Sequence, residues 1–226
     1  MSLTTYHMEQ LRVHFMNFIN YVYFVMDKKT RDIAIVDPSW DLWKVESCIQ
    51  QLNGNLKAIL LTHSHFDHIN LVNSLIDKYN PQVFMSIKEI DFYHFRCRNL
   101  YSIQDEDSIK LGETDIISLL TPGHTLGSVC YLLSDHLFTG DTIFIEGCGY
   151  CDPNGGDPEE LYHSIQKIKR EIDGSIRIYP AHSFGKAPGF SLNYLMNENI
   201  YFQFTSKEPF IKFRMRPNQK RLFDFK

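Results

Sequence analysis

The chain has 226 residues, 43% of them hydrophobic and 22% charged, with a formal net charge of −4. This is the composition of an ordinary soluble globular protein, and the length fits one domain, 1–226, large enough to bury a substantial core. No apolar run approaches the ~18 residues that span a bilayer, and the acidic balance argues against general nucleic-acid binding. The start, Met1 to Gln10, carries His7 and Glu9 and lacks a basic segment followed by an apolar one, so no secretory signal is expected. Five cysteines at 48, 97, 130, 148 and 151 are odd in number and scattered, which predicts a reducing cytoplasm and no disulfide framework.

In chain order, Val13–Phe18 and Tyr21–Met26 are rich in aromatic and β-branched residues and read as strands of a meander. Asp32–Val36 is a third strand, stopped by Asp37-Pro38. Leu42, Val45, Ile49 and Leu52 recur at helical spacing up to Gly54. The apolar strand Ala58–Thr62 follows, then a helix marked by Leu71, Leu75 and Ile76, a short strand Val83–Met85, and a helix over Ile87–Arg96. In the second half, strands are expected at Asp115–Leu120, Ser128–Leu133, His136–Thr139 and Ile176–Tyr179. A glycine-rich loop, Gly147–Gly156, precedes a helix started by Asp157-Pro158, with Leu161, Ile165 and Ile168 on one face. Two strand-rich halves with helices between and outside them predict an α/β fold, a four-layer αββα sandwich.

Leu61-Thr62-His63-Ser64-His65-Phe66-Asp67-His68 stands out, with three histidines and a carboxylate within six residues. Imidazole nitrogens and carboxylate oxygens are ligands of borderline divalent metals such as zinc. In an extended segment, residues two apart point the same way, so His63 and His65 can reach one ion together. Asp67 and His68 lie beyond the strand and could serve a second. His124, Asp141 and His182 share one context: each follows a predicted strand beside a glycine or a proline-led turn. Such groups can converge on one edge of a sheet, where loops build sites on a rigid scaffold.

The order His-x-His-x-Asp-His, Gly-His, Gly-Asp, Ala-His resembles the metallo-β-lactamase superfamily over nearly the whole chain. The resemblance implies a first metal held by His63, His65 and His124, a second held by Asp67, His68 and His182, and Asp141 bridging both. It also implies that Asp37 supports the site from behind. Thr139-Gly140-Asp141-Thr142 is similar to the hydroxyacylglutathione hydrolase (glyoxalase II) branch. Within it, Phe144–Cys151, Asn154–Asp157, Phe210–Arg216 and Asn20-Tyr21 resemble zinc-dependent hydrolases of bacterial, bacillaene-type polyketide clusters. This implies two zinc ions per chain and hydrolysis of a thioester by metal-activated hydroxide, with Asp67 as catalytic base. The substrate to expect is an acyl group on the phosphopantetheine arm of an acyl carrier protein, with neither nucleic acid nor membrane as partner. Only 44 residues follow His182, too few for the long helical domain that helps to bind glutathione in glyoxalase II. The rival readings are glutathione thioester hydrolysis, a persulfide dioxygenase with a single iron, lactone or RNA cleavage, and a metal-dependent module that binds acyl carriers without turnover.

No Gly-x-Ser-x-Gly elbow is present. Cys148-Gly149-Tyr150-Cys151 is a lone Cys-x-x-Cys, read as loop cysteines near the site, with a redox or metal role as the alternative. Tyr150 is a candidate for contact with substrate or an oxyanion, and Lys186 for contact with phosphate. From Lys207 to Lys226 seven Lys or Arg stand against two acidic residues. There Ile211, Phe213 and Met215 alternate with Lys212, Arg214 and Arg216, the pattern of a half-buried strand with a basic outer side. That side could meet a phosphate or an acidic carrier. His7, His14, His94, His136 and His163 have no partner pattern.

Overall fold

The computed structural model describes residues 4–151, 153–219 and 225–226. The first half contains β1 (Tyr6–Phe15), β2 (Phe18–Asp27), β3 (Asp32–Val36), α1 (Leu42–Leu52), β4 (Asn55–Leu60), α2 (Phe66–Ile69), α3 (Val72–Tyr79), β5 (Gln82–Ser86), α4 (Ile87–Tyr93) and β6 (Leu100–Ile103). The second contains β7 (Ser108–Leu111), β8 (Thr114–Leu120), β9 (Val129–Leu132), β10 (His136–Gly140), α5 (Pro158–Glu171), β11 (Arg177–Pro180), β12 (Phe190–Ser191), α6 (Leu192–Glu198) and α7 (Lys207–Arg214). Each half forms one six-stranded sheet, in the orders β1-β2-β3-β4-β5-β6 and β12-β11-β10-β9-β8-β7.

Three apolar layers account for the sandwich. Val22, Phe24, Ile33, Ile35 and Ile59 turn outward from the first sheet onto Val45 and Ile49 of α1 and Leu75 of α3. Tyr21, Tyr23, Val25, Val36 and Leu60 turn inward to meet Ile116, Val129, Tyr131 and Phe138 of the second sheet. The outer face of that sheet packs on Leu161, Ile165 and Ile168 of α5, Leu192 and Leu195 of α6, and Phe210 of α7. Strands such as β2 are covered on both faces, which is why they read as continuous apolar runs. The αββα expectation is met.

Strand direction places the site. β3 and β4 are parallel, so Asp37 and Thr62-His63 leave the first sheet at the same edge. In the second sheet β9 is antiparallel to both β8 and β10, while β10 and β11 are parallel. β8, β10 and β11 therefore run the same way, and the turns bearing His124, Asp141 and His182 share one edge. Backbone bonds join the two edges: Tyr21 N–H donates to Ala181 O (2.8 Å) and Val129 N–H to Thr62 O (2.9 Å). Gly140 has φ +48°, and a Cβ there would lie 2.3 Å from Thr62 Oγ1, so only glycine lets these two turns close together.

Two local readings are corrected. Val13–Phe18 is not one strand: the chain turns at Met16-Asn17 (Met16 φ 52°), and β1 and β2 form a hairpin. The C-terminal run is a helix, not a half-buried strand, with Ser206 at its start and Pro209 in its first turn. Its buried face is Phe210 and Arg214, four residues apart, while Met215 is exposed. Arg214 therefore points in, not out, and Lys220 and Arg221 lie outside the described residues. Among the described residues, no helix is long and apolar enough to cross a membrane.

Candidate metal centre

Each predicted ligand sits at the end of a strand or in the first turn after it. β4 ends at Leu60, and Thr62 to His65 run as loop into α2, which carries Asp67 and His68 in a single turn. His63, His68, His124, Asp141 and His182 are buried, whereas His65 and Asp67 are half-buried.

Three imidazole nitrogens form a triangle. His63 Nε2 is 3.0 Å from His65 Nδ1, and His124 Nε2 is 3.2 and 3.0 Å from these two atoms. Nitrogens bonded tetrahedrally to one zinc at ~2.05 Å would stand about 3.3 Å apart, so the triangle fits a single ion. A second group gathers beside it. Asp67 Oδ2 is 3.3 Å from His182 Nε2 and 3.5 Å from His68 Nε2. Asp141 faces both groups: Oδ1 is 3.6 Å from His182 Nε2 and 3.7 Å from His68 Nε2, while Oδ2 is 3.6 Å from His124 Nε2.

Two of these atoms, His68 Nε2 and Asp141 Oδ1, are buried without a hydrogen-bond partner. Buried polar atoms are rarely left so, and two that face each other across a gap too wide for a hydrogen bond mark a place for a cation. The opposite ring nitrogens fix which atom points inward. His68 Nδ1 pairs with Asp37 Oδ2 (2.9 Å), His182 Nδ1 with Ile19 O (2.6 Å), His63 Nδ1 with Thr62 Oγ1 (3.0 Å) and His124 Nδ1 with Tyr150 O. A protonated Nδ1 leaves the Nε2 lone pair free for a metal, the usual outer support of a ligating histidine.

Electrostatics agree with an ion-binding site. Burial disfavours a charged His68, yet the carboxylates of Asp67, Asp141 and Asp37 together push it up to about 10. Burial likewise opposes the ionised Asp67, but His68, His182 and Asn20 hold it far below the usual carboxylate range. Burial and the surrounding histidines push His63 well down, so it keeps the neutral form a metal needs.

Three further carboxylate or amide side chains support the site: Asp37, as the resemblance implies, and Glu89 and Asn20, whose roles the sequence does not announce. Glu89 of α4 is fully buried; Oε1 accepts from Ser64 N–H (2.8 Å) and Oγ (2.7 Å), and Oε2 from Thr125 Oγ1 (2.8 Å) and Gly127 N–H (3.0 Å). It ties the His63–His65 loop to the His124 loop. Asn20 Nδ2 donates to Asp67 O (2.9 Å) and Oδ2 (3.1 Å), and Asn20 Oδ1 accepts from Trp40 Nε1 (2.7 Å). Asp37, at φ 48°, accepts from Thr62 N–H (2.8 Å) and Oγ1 (2.6 Å) as well as His68. Lys186 is turned away, its Nζ over the rings of Phe190 and Tyr194.

The ligand groups form the floor of a cavity of about 360 Å³, walled by Phe144, Phe184, Tyr150 and Tyr201. Cys148 and Cys151 are free and buried, and burial pushes both thiols up to about 12, so neither is a thiolate nucleophile at neutral pH. Among the described residues, no cysteine joins a metal-ligand group.

A four-layer sandwich whose inner edges present two adjoining His/Asp groups is the architecture of a metal-binding αββα protein. The chain belongs to the metallo-β-lactamase superfamily, whose family model matches residues 20–182. It is 51% identical over 222 residues to "Probable polyketide biosynthesis zinc-dependent hydrolase PksB" of Bacillus subtilis, covering 98% of this chain and 99% of that one. It is 49% identical, with the same coverage, to the BaeB protein of Bacillus velezensis, which bears the same description. Among solved structures, ETHE1 from Myxococcus xanthus superposes with a TM-score of 0.82 at 26% identity, covering 94% of this chain and 92% of that one.

Proposed function

We propose that the protein is a dinuclear zinc hydrolase that cleaves a thioester, with an acyl group on the phosphopantetheine arm of a carrier protein as substrate. The observation that carries the reading is Asp141, whose two carboxylate oxygens face two different ligand groups. His63, His65 and His124 would hold one ion and Asp67, His68 and His182 the other. Bound zinc supplies a Lewis acid for the carbonyl oxygen and lowers the pKa of water to near neutrality.

The residues of the chain do the rest. Asp67, half-buried on the cavity side and fixed by Asn20, takes the proton of the attacking water. The new C–O bond forms as the C–S bond breaks, and the products are a carboxylic acid and a thiol. The thiol is a good leaving group, so no strong general acid is required. Aromatic walls shield the reacting carbonyl and accept an acyl chain. The names of the 51% and 49% identical relatives support both the metal and the biosynthetic setting.

The test is a panel of acyl-carrier and acyl-glutathione thioesters, assayed with protein of measured metal content. Two zinc per chain and faster release from the carrier are expected. Preference for glutathione esters would overturn the carrier reading, and one iron with oxygen uptake would overturn hydrolysis.

A further inference from the structure

The cavity has a second polar end, remote in sequence from the ligand motif. Arg214 of α7 lines it, yet is only 3% exposed. Nη1 donates to Tyr201 Oη (3.0 Å) and Nη2 to Gln219 Oε1 (3.1 Å), while Nε is buried without a partner. Arg216, also on the cavity wall, donates from Nη1 to the same Tyr201 Oη (3.3 Å). Two guanidinium cations thus meet on one phenol oxygen. Among the described residues neither pairs with a carboxylate; Cys148, which hydrogen-bonds Arg214, and Cys151 are neutral thiols and supply no counter-charge.

This arrangement is expensive unless something answers it. A buried guanidinium is unfavourable when it lacks a counter-ion, and the more exposed Arg216 brings a second positive charge to the same phenol oxygen. Rings offset part of this, since the Arg214 guanidinium lies 5.7 Å from the Tyr201 ring and 6.0 Å from the Tyr150 ring. The free valences match an oxyanion. Arg214 Nε–H has no acceptor, and Tyr201 accepts from both arginines, which leaves its own proton available to donate. Tyr150 links this end to the metal floor, because its carbonyl holds His124 while its ring faces Arg214.

We infer that Arg214, Arg216 and the Tyr201 hydroxyl form an oxyanion subsite that anchors a carboxylate or phosphate group of the substrate within the same cavity. The inference rests on the thioester reading for its substrate. A bound oxyanion would offset positive charge at the paired guanidiniums and accept the proton that Tyr201 has free to donate.

The test compares wild type with Arg214→Gln and Arg214→Lys, each with measured zinc content. Butyryl-pantetheine is the uncharged reference. Butyryl-4′-phosphopantetheine adds a phosphate on the thiol side, and succinyl-pantetheine adds a carboxylate on the acyl side. Wild type should favour one charged thioester by at least tenfold in kcat/KM, and the favoured member identifies the source of the oxyanion. Arg214→Gln should abolish that preference, its loss on the favoured charged thioester exceeding any loss on the uncharged reference by at least tenfold, and Arg214→Lys should keep part of it. No charged preference in wild type, or equal losses on charged and uncharged substrates, would overturn the subsite. Calorimetric binding of the three corresponding non-hydrolysable thioethers separates this outcome from a failure of the thioester reading. If no thioester is cleaved, tenfold tighter binding of a charged thioether by wild type than by Arg214→Gln still supports the subsite, and equal binding rejects it.

Discussion

Glu89 offers the sharpest test of how the ligand loops are held. In Glu89→Gln one acceptor oxygen becomes an NH₂ group. Whichever way the amide turns, it meets a backbone N–H, that of Ser64 or that of Gly127, together with one hydroxyl. The hydroxyl can rotate and accept, but the backbone N–H cannot. One buried donor is left unsatisfied, costing about 1–3 kcal/mol, and the surviving bonds lose roughly 1 kcal/mol each as they pass from charged to neutral. The lower desolvation cost of an amide returns part of this, for a net loss of about 2–4 kcal/mol. For a chain of this size that is a fall in Tm of roughly 5–15 °C. Because Glu89 binds the loops of His63, His65 and His124 and not those of His68 and His182, zinc at the three-histidine group should weaken by about 10–100-fold while the second group keeps its affinity. Thermal melts of metal-free protein and competition with a chromophoric chelator measure the two effects. A variant that melts within 1 °C of wild type and binds both ions normally would refute the argument.

Three further outcomes are expected. Asp67→Asn should fold normally and, at matched zinc content, lose about 10²–10⁴ in turnover, the usual share of a general base; near-normal rates with full metal loading would remove Asp67 from that role. Cys148 and Cys151 should resist alkylation of the native protein at pH 8. Their folded pKa values are raised above the unfolded ones, so the stability they contribute is complete below about pH 9 and lost between pH 9 and 12, read by denaturant melts across that range. Labelling of either thiol as fast as a free thiol would contradict the burial argument. Chelation should lower Tm, and zinc should restore it with an end-point of two equivalents; ligand present at ~1,000 times its Kd is worth about 4 kcal/mol. Saturation at one equivalent would dissolve the dinuclear reading.

The parts of this molecule legible in sequence are those where chemistry and punctuation coincide. Gly123-His124, Gly140-Asp141 and Pro180-Ala181-His182 each join a strand-ending signal to a candidate metal ligand, and Asp37-Pro38 joins one to the carboxylate behind His68, so fold and candidate site are legible together. Glu89 was hidden because one acidic residue in a short helix looks like a solvated face, and its four partners come from two distant loops. Asn20 was visible only as part of a family pattern, not as the clamp on Asp67. The C-terminal helix reads as a strand in sequence because Ile211, Phe213 and Met215 alternate, while the true burial period is Phe210 to Arg214. A pattern that counts arginine as outward-facing cannot find a helix whose inner face includes one.

The division of the candidate ligands between the halves gives the site a further property. His63, His65, Asp67 and His68 come from the first sheet's edge, and His124, Asp141 and His182 from the second's. Each ligand group therefore contains residues of both halves, and Asp141 touches both groups. Separating the sheets must break the contacts of His124, Asp141 and His182 with the first half, together with the inter-sheet bonds of Tyr21, Val129 and Tyr131. The same bonds that align the edges before metal arrives define the spacing the ions require. An ion bound there acts as a cross-link between halves that are far apart in sequence, so its removal should be felt across the whole sandwich and not only in the loops that carry the ligands.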